Sequence, residues 1–220
     1  MAGRAAAIFD ASLPYSPLST PPAKTALLLL DYQNLMLGFV SDAAQRAQIL
    51  ENAAAARTWA KSRGFMVYHC LVDMSQSPVS WAKLNARWPM FQQMIQQNPQ
   101  AADIVAELKP DPHAAGESVT RRQLGLLSAL SSPELMHDLE QKGIQSVICC
   151  GISTSAVVLS TARTANELGL PVTVIEDACF DPGEGVHEMI VREVLTTSAH
   201  VARWEEVERA WEGALGEKTG

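Results

Sequence analysis

The sequence predicts an α/β protein in which helices cover both faces of a parallel sheet. Three observations favour this class. Apolar, strand-like runs alternate with helical patterns along most of the chain. The apolar run at residues 25–30 is continuous rather than alternating, which is typical of a parallel strand buried on both faces. Residues 146–176 read as strand, helix and strand in succession, the unit from which such sheets are built.

The first half of the chain begins with an irregular segment. Residues 1–23 hold several prolines and are interpreted as an arm without regular structure. After the strand at residues 25–30, residues 42–62 have helical spacing and residues 65–72 read as a second strand. Prolines at positions 78, 89 and 99 cut the next stretch into short helical pieces, which we expect to lie beside the sheet.

The second half predicts further strands and helices in alternation. Ser132 and Pro133 open a helix, because Ser is a good N-cap and Pro fits the first helical position, and Gly143 ends it. Strands are expected at residues 117–120, 146–150, 172–176 and 200–203, and further helices at residues 155–168, 186–197 and 205–215.

Length and charge exclude several classes of function. The 220 residues suit a single domain, which we place at residues 24–220. A formal net charge of −7 argues against nucleic acid and anionic membranes as partners, since both are bound by clustered Lys and Arg. No apolar run is long enough to cross a bilayer. The four cysteines lie in or after strand-like runs, which favours reduced thiols and a cytoplasmic protein.

Polar residues that follow apolar strands are the candidates for chemistry, because ligands of open α/β sheets bind beyond the carboxyl ends of the strands. Asp31 follows four leucines, so its carboxyl is expected at the mouth of the sheet, where partial burial tunes it for proton transfer. A loop-fixing or helix-capping aspartate is the alternative. Residues 121–122 and 151–155 follow other strands in the same way.

Several familiar catalytic sites are absent from the sequence. The residues after the first strand, Asp31 to Asn34, lack the Gly-x-Gly-x-x-Gly of a dinucleotide-binding loop. No Gly-x-Ser-x-Gly nucleophile elbow is present either. The five histidines are scattered without metal-ligand spacing. We therefore expect neither a cofactor nor a metal, and a small molecule as the substrate.

Four motifs together resemble a known family. They are Leu-Leu-Leu-Leu-Asp-Tyr-Gln-Asn at 27–34, Val-Thr-Arg-Arg at 119–122, Cys-Gly-Ile-Ser-Thr-Ser-Ala-Val-Val-Leu-Ser-Thr-Ala-Arg at 150–163 and Glu-Asp-Ala-Cys at 176–179. The pattern is similar to the isochorismatase-like (cysteine hydrolase) superfamily over about residues 24–204. The resemblance implies a three-layer αβα fold with a six-stranded, mostly parallel sheet, a homodimer or homotetramer, and a cis peptide bond between residues 152 and 153.

The resemblance also implies where catalytic residues fall. Hydrolases of that family use an Asp, a Lys and a Cys, and these positions fall on Asp31, Arg121 and Val157. Valine has no lone pair, so covalent catalysis at position 157 is excluded. Arg121 is expected to hold Asp31 and to clamp a substrate carboxylate. The isochorismatases proper also lack the cysteine and protonate a vinyl ether, so we expect acid or base catalysis by Asp31 on a small, anionic metabolite.

The expected substrate-binding residues follow the first and fourth strands or lie in the proline-rich stretch. Free amide groups of residues 153–156 at a helix start are expected to hold a carboxylate or carbonyl oxygen. The side chains expected to wall a pocket for a planar ring, with core packing or a subunit contact as the alternative, are Trp81, Arg87, Trp88 and Phe91. The full set is Gln33, Ile152, Ser153, Thr154, Ser155, Val157, Trp81 and Arg87.

Two other functions stay open at this point. One is a non-catalytic member of the fold that binds a small metabolite or a partner protein. The other is an amidase that uses Cys150 or a nearby serine, although no histidine is recognisable beside these serines.

Overall fold

The computed structural model describes residues 9–111 and 115–217 and contains one six-stranded sheet. The strand order is β3-β2-β1-β4-β5-β6, and all five pairings are parallel. The α/β fold class is therefore confirmed. The strands are β1 (Thr25–Leu30), β2 (Met66–Asp73), β3 (Glu117–Gln123), β4 (Ser146–Gly151), β5 (Val172–Ile175) and β6 (His200–Ala202).

Seven α-helices lie in the described residues: α1 (Asn34–Leu37), α2 (Ala43–Ser62), α3 (Trp88–Gln97), α4 (Pro133–Lys142), α5 (Leu159–Glu167), α6 (Val186–Met189) and α7 (Trp204–Glu217). The helix expected over residues 155–168 begins with a π-helical turn, Thr154–Val158. The helix expected over residues 186–197 is divided into α6, a second π-helical turn and a 3₁₀ turn.

Helices cover both faces of the sheet because the chain leaves its centre in opposite directions. From β1 it passes through α2 to β2, and from β4 it passes through α5 to β5, toward the other edge. Right-handed crossovers in opposite directions place α2 and α5 on opposite faces. Trp59 of α2 packs edge-on against Trp211 of α7, so these two helices share a layer.

Local capping fixes the ends of the helices much as the sequence predicts. The Asp42 carboxylate accepts hydrogen bonds from the backbone N–H groups of Ala44 and Gln45 at the start of α2, a cap that stabilises a helix by about 1 kcal/mol. Ser132 caps α4, and Gly143 ends it in the left-handed conformation. The caps hold the helices that connect the strands in register with the sheet.

The proline-rich stretch after β2 forms an excursion with its own small core. Its buried members are Leu35, Val72, Met74, Ala101 and Leu124, and Trp88 and Phe91 of the excursion pack against them. This excursion lies past the carboxyl end of β2, beside the end of β1. It therefore borders the edge of the sheet where polar residues were expected to meet.

Residues 9–23 of the predicted arm contain two 3₁₀ turns, Pro17–Ser19 and Pro22–Lys24, and Leu18 is buried in the main core. The rest of that arm, residues 1–8, lies outside the described residues. Within the part that the structure describes, no helix has the length and apolar character that a membrane span requires.

Candidate active site

The order of the strands reverses its direction between β1 and β4. These two strands are adjacent, and the chain turns away from them in opposite directions, which is where open α/β sheets bind ligands. Leu30 at the end of β1 pairs with Gly151 at the end of β4. The two backbones lie so close that a Cβ at position 151 would overlap the Leu30 carbonyl oxygen. Asp31 and the turn after Gly151 therefore meet at one edge of the sheet.

Asp31 is buried at this edge and held by an arginine. Its backbone has a φ of 55°, unusual for a residue other than glycine, and only 3% of the residue is exposed. The Arg122 guanidinium donates to both carboxylate oxygens, at 2.9 Å from Nη1 to Oδ1 and 2.7 Å from Nη2 to Oδ2. Arg122 Nε donates to the Leu126 carbonyl at 2.8 Å. Each guanidinium nitrogen thus has an acceptor.

Burial and the ion pair act on the same two groups. Burial raises the pKa of the Asp31 carboxyl, and Arg122 opposes part of that rise. Burial by itself would lower the pKa of Arg122, but the Asp31 carboxylate raises it above its usual value. Arg122 therefore stays protonated, and Asp31 accepts a proton more readily than an exposed aspartate does.

The prediction that Arg121 holds Asp31 is wrong by one residue. Arg121 is exposed, whereas Arg122 is 5% exposed and makes the ion pair. Successive side chains of a strand point to opposite faces, and both residues belong to β3. A shift of one position in the motif therefore exchanges a solvent-facing arginine for a buried one.

Gln33 is also placed at this edge, but its side chain binds protein backbone. Its amide nitrogen donates to the carbonyls of Val72, at 3.1 Å, and Ala102, at 2.9 Å. Its amide oxygen accepts from the Val72 N–H at 3.1 Å. The expectation that Gln33 contacts substrate is thus corrected, because its hydrogen bonds attach the excursion to the end of β2.

Of the four amide groups after β4 that were predicted to be free, those of Thr154, Ser155 and Ala156 have protein acceptors. Thr154 N–H donates to the Phe180 carbonyl at 2.8 Å, and Ala156 N–H donates to the Ser153 carbonyl at 3.3 Å. Ser155 N–H donates to an Asp181 carboxylate oxygen at 2.7 Å. The peptide bond between Ile152 and Ser153 is cis, as the resemblance implies.

Two residues at this edge were not predicted from the sequence. His187 Nδ1 lies 2.9 Å from Thr154 Oγ1, and burial lowers the pKa of His187. Asp181 also accepts from the Gly183 N–H at 3.2 Å. Asp181 precedes a Pro-Gly pair, a turn signal from which this loop could have been recognised in the sequence. No local signal marked His187.

The cysteines near this edge are buried thiols whose pKa values are raised. Val157, at the position where the resemblance implies the family's cysteine, is 1% exposed. Burial raises the pKa of Cys150 to about 12 and that of Cys70 to about 12. The Cys70 thiol donates to the Tyr68 carbonyl at 3.8 Å. Protonated, buried thiols do not attack a carbonyl carbon.

Trp81 and Arg87 lie on the surface, and the pocket predicted beside them stays a prediction. Trp81 is 80% exposed, and Arg87 is exposed as well. A cavity of about 300 Å³ lies between α1 and α3, but neither side chain lines it. Their neighbours Trp88 and Phe91 fill the small core of the excursion instead, which leaves Trp81 on the surface. Among the described residues, no group of His, Cys, Asp and Glu side chains is arranged to hold a metal ion.

Comparisons with known proteins agree with this architecture. The family model for the isochorismatase domain matches residues 25–206. A probable isochorismatase from Pseudomonas chlororaphis is 25% identical over 189 residues, 86% of this chain and 87% of that protein. Maleamate amidohydrolase from Pseudomonas putida KT2440 is 28% identical over 174 residues, 75% of this chain and 76% of that protein.

The solved structures give the same result. An isochorismatase family protein from Burkholderia thailandensis superposes with a TM-score of 0.66 at 20% identity, covering 86% of this chain and 96% of that one. The family match spans all six strands. On this basis, the chain belongs to the isochorismatase family.

Proposed function

We propose that this protein hydrolyses an enol ether of a small, anionic metabolite without a covalent intermediate, with Asp31 as the proton donor. The observation that carries the proposal is the buried Asp31–Arg122 pair at the point where the strand order reverses between β1 and β4. An acid whose pKa is raised by burial is suited to general acid catalysis near neutral pH. Val157 offers no nucleophile, which favours a mechanism that needs none.

In the proposed reaction, Asp31 transfers its proton to the terminal carbon of the enol ether double bond. The resulting oxocarbenium ion is attacked by water, and a proton lost from that water returns to Asp31. The hemiketal then collapses, which breaks the bond to the ether oxygen and releases an alcohol and a keto acid. The net change is the addition of one water, so no oxidant, reductant or metal is needed.

Arg122 has a defined part in this mechanism. Its two terminal nitrogens match the spacing of a carboxylate, as the pairing with Asp31 demonstrates. A substrate carboxylate that takes over one or both of these donors leaves Asp31 with less positive charge nearby. The Asp31 pKa then rises further, because burial is the largest influence on it. Substrate binding would thus convert Asp31 into a proton donor.

Amide hydrolysis by a cysteine is disfavoured for this chain. Maleamate amidohydrolase acts on an amide, as its name states, and this chain aligns with only part of its length. Cys150 is buried and its pKa is raised to about 12, so the thiolate is not available at neutral pH. Among the candidate serines, Ser155 is exposed, and the described histidine at this edge is bonded to Thr154 instead.

The test is the release of pyruvate from isochorismate. Pyruvate is measured through its reduction by lactate dehydrogenase in a coupled assay. We expect turnover by the native chain, a loss of at least about 100-fold in Asp31→Asn, and no ammonia from maleamate. Arg121→Gln is the matched control, because Arg121 is exposed and outside the ion pair. Turnover that persists in a folded Asp31→Asn variant contradicts the proposal.

A second function is favoured by a specific observation. All guanidinium nitrogens of Arg122 and the amides of Thr154, Ser155 and Ala156 have protein acceptors. A non-catalytic family member that binds a metabolite or a partner would have no need to free them. Absence of turnover on enol ethers, amides and nitriles, together with saturable binding of isochorismate by calorimetry, would support this second function over the first.

A further inference from the structure

A wide groove lies at the opposite edge of the sheet from Asp31. It has a volume of about 1000 Å³ and runs along the amino ends of β4, β5 and β6, where Gln145, Val172 and His200 line it. The six residues of β4 separate it from the candidate active site, a distance of about 17 Å at the rise of a β-strand. The groove is therefore a separate feature of the molecule.

The described wall of this groove mixes polar and apolar residues and carries no formal charge. Side chains with hydroxyl or amide groups line much of it, among them Ser19, Thr20, Asn166, Thr196 and Thr197. Charged residues make up 19% of the chain, yet no Asp, Glu, Lys or Arg of the described residues lines the groove. Burial lowers the pKa of His200, so its ring is neutral at physiological pH.

Several side chains along the groove can form hydrogen bonds beyond those they already make. The hydroxyls of Thr196 and Thr197 donate to the carbonyls of Arg192 and Val194, at 3.0 and 2.7 Å, and so keep oxygen lone pairs as acceptors. Ser198 Oγ is buried and has no hydrogen-bond partner among the described residues. Thr196 and Thr197 are exposed and can therefore accept hydrogen bonds from a ligand in the groove, whereas Ser198 Oγ is closed to it.

An aromatic ring borders the same groove. Tyr15 is 63% exposed, a large fraction for an aromatic residue, and it lines the groove. A tyrosine ring offers an apolar face for the C–H surface of a cyclic ligand and a hydroxyl at its tip. The groove thus combines a flat apolar face with many neutral donors and acceptors.

We propose that this groove is a binding site for an uncharged, hydroxyl-rich ring compound of the monosaccharide class, with Tyr15 stacked on one face of the ring. The volume is at the upper end of the range for small-molecule sites. The hydroxyls of such a ligand match the Ser, Thr, Asn and Gln side chains of the wall, each of which donates or accepts without charge.

The absence of charge in the described wall decides against ionic ligands. An anion or cation that entered the groove would lose hydration and gain no ion pair, which is unfavourable. The net charge of −7 further disfavours anions over the whole surface. A neutral polyol exchanges hydrogen bonds with water for hydrogen bonds with the wall at little net cost.

The test is titration calorimetry of the full chain with three matched sugars: glucose, its anionic relative glucuronate and its cationic relative glucosamine. We expect glucose to bind with a Kd of about 1 mM or tighter, and both charged relatives to bind at least about tenfold more weakly. Tyr15→Ala should weaken glucose binding by about tenfold, whereas Tyr15→Phe should retain most of it.

Leu127→Ala is the control variant, because Leu127 is 53% exposed and lies outside the groove. Glucose binding that is undetectable at 10-fold the expected Kd, equal binding of all three sugars, or an unchanged Kd in a folded Tyr15→Ala variant would each overturn the proposal. The readout is independent of turnover at Asp31, so the proposed function is tested separately.

Discussion

Arg122 donates hydrogen bonds to both carboxylate oxygens of Asp31. The Arg122 side chain is 3% exposed and the Asp31 side chain is 5% exposed. A buried pair of this kind adds little stability over apolar residues of the same size, yet the loss of one partner leaves an uncompensated charge in the interior. The stability of the fold should therefore fall when one partner is replaced and change little when both are replaced by apolar residues.

The first prediction concerns this difference between single and double replacement. Arg122→Met should lower the free energy of unfolding by about 3–5 kcal/mol, because Asp31 stays buried without its partner. The double variant Asp31→Leu/Arg122→Met should recover most of that loss. Urea unfolding followed by circular dichroism measures both. Arg121→Met, one residue away and exposed, should change stability by less than about 0.5 kcal/mol. Equal losses at positions 121 and 122 would contradict the assigned pairing.

The sequence identified the region of this pair but not its second member. Asp31 follows a fully buried strand, so its place at the edge of the sheet follows from the apolar run alone. Two adjacent arginines on β3 are harder to separate, since the strand's burial pattern is irregular and its apolar residues are few. The face on which each arginine lies depends on the pairing of β3 with β2, which is a long-range property.

The second prediction concerns pH. The Glu117 side chain is fully buried and accepts hydrogen bonds from Arg57, Lys61 and His69, the last two at 2.6 and 2.7 Å. Burial alone would raise the pKa of Glu117, but these partners lower it to about 2. A carboxyl with a depressed pKa stabilises the fold above its unfolded pKa, and this contribution is lost as the pH falls from about 4.5 toward 2.

The variant Glu117→Gln tests whether the Glu117 carboxylate stabilises the fold above pH 4.5. It should lower the free energy of unfolding by about 3 kcal/mol at pH 7, because three donors lose their charged acceptor. The variant should also show a flatter dependence of stability on pH between 4.5 and 2. Glu140→Gln, at an exposed position on α4, should follow the native curve. An unchanged slope in Glu117→Gln would assign the acid sensitivity to other carboxyls.

The third prediction concerns the closest approach of two strands. Gly151→Ala should destabilise the fold by about 3 kcal/mol or more, because the added Cβ overlaps the Leu30 carbonyl oxygen and the backbone has to shift. Gly213→Ala should instead stabilise by about 0.5–1 kcal/mol, since this helical glycine has open space around it. Thermal unfolding of both variants compares the two, and a tolerated alanine at position 151 would show that β1 and β4 are farther apart.

The fourth prediction concerns the link between β2 and the excursion. Gln33→Leu should cost about 2–4 kcal/mol, because the buried N–H and carbonyl of Val72 and the carbonyl of Ala102 lose their side-chain partner. Hydrogen exchange of the Val72 amide should become faster in the variant. Gln92→Leu on α3 is the control, since Gln92 is exposed. Unchanged exchange at Val72 would contradict the role of Gln33 as an anchor.

The turn after β4 illustrates what local sequence reasoning misses. The start of a helix at this position is visible in the sequence, and free N–H groups are expected at any helix start. The acceptors for Thr154 and Ser155 come from Phe180 and Asp181, which follow the next strand and are brought back by the parallel topology. Such contacts depend on the packed fold, so no pattern within residues 150–163 reveals them.

The four thiols of this chain have a consequence for measuring its motions. All of them are unpaired and buried, at Cys70 on β2, at Cys149 and Cys150 on β4 and at Cys179 beyond β5. A maleimide dye reaches sulfur only when the sheet interior parts from its covering helices. The labelling rate of the unmodified protein therefore reports how often its core opens transiently, and no engineered probe is required for that experiment.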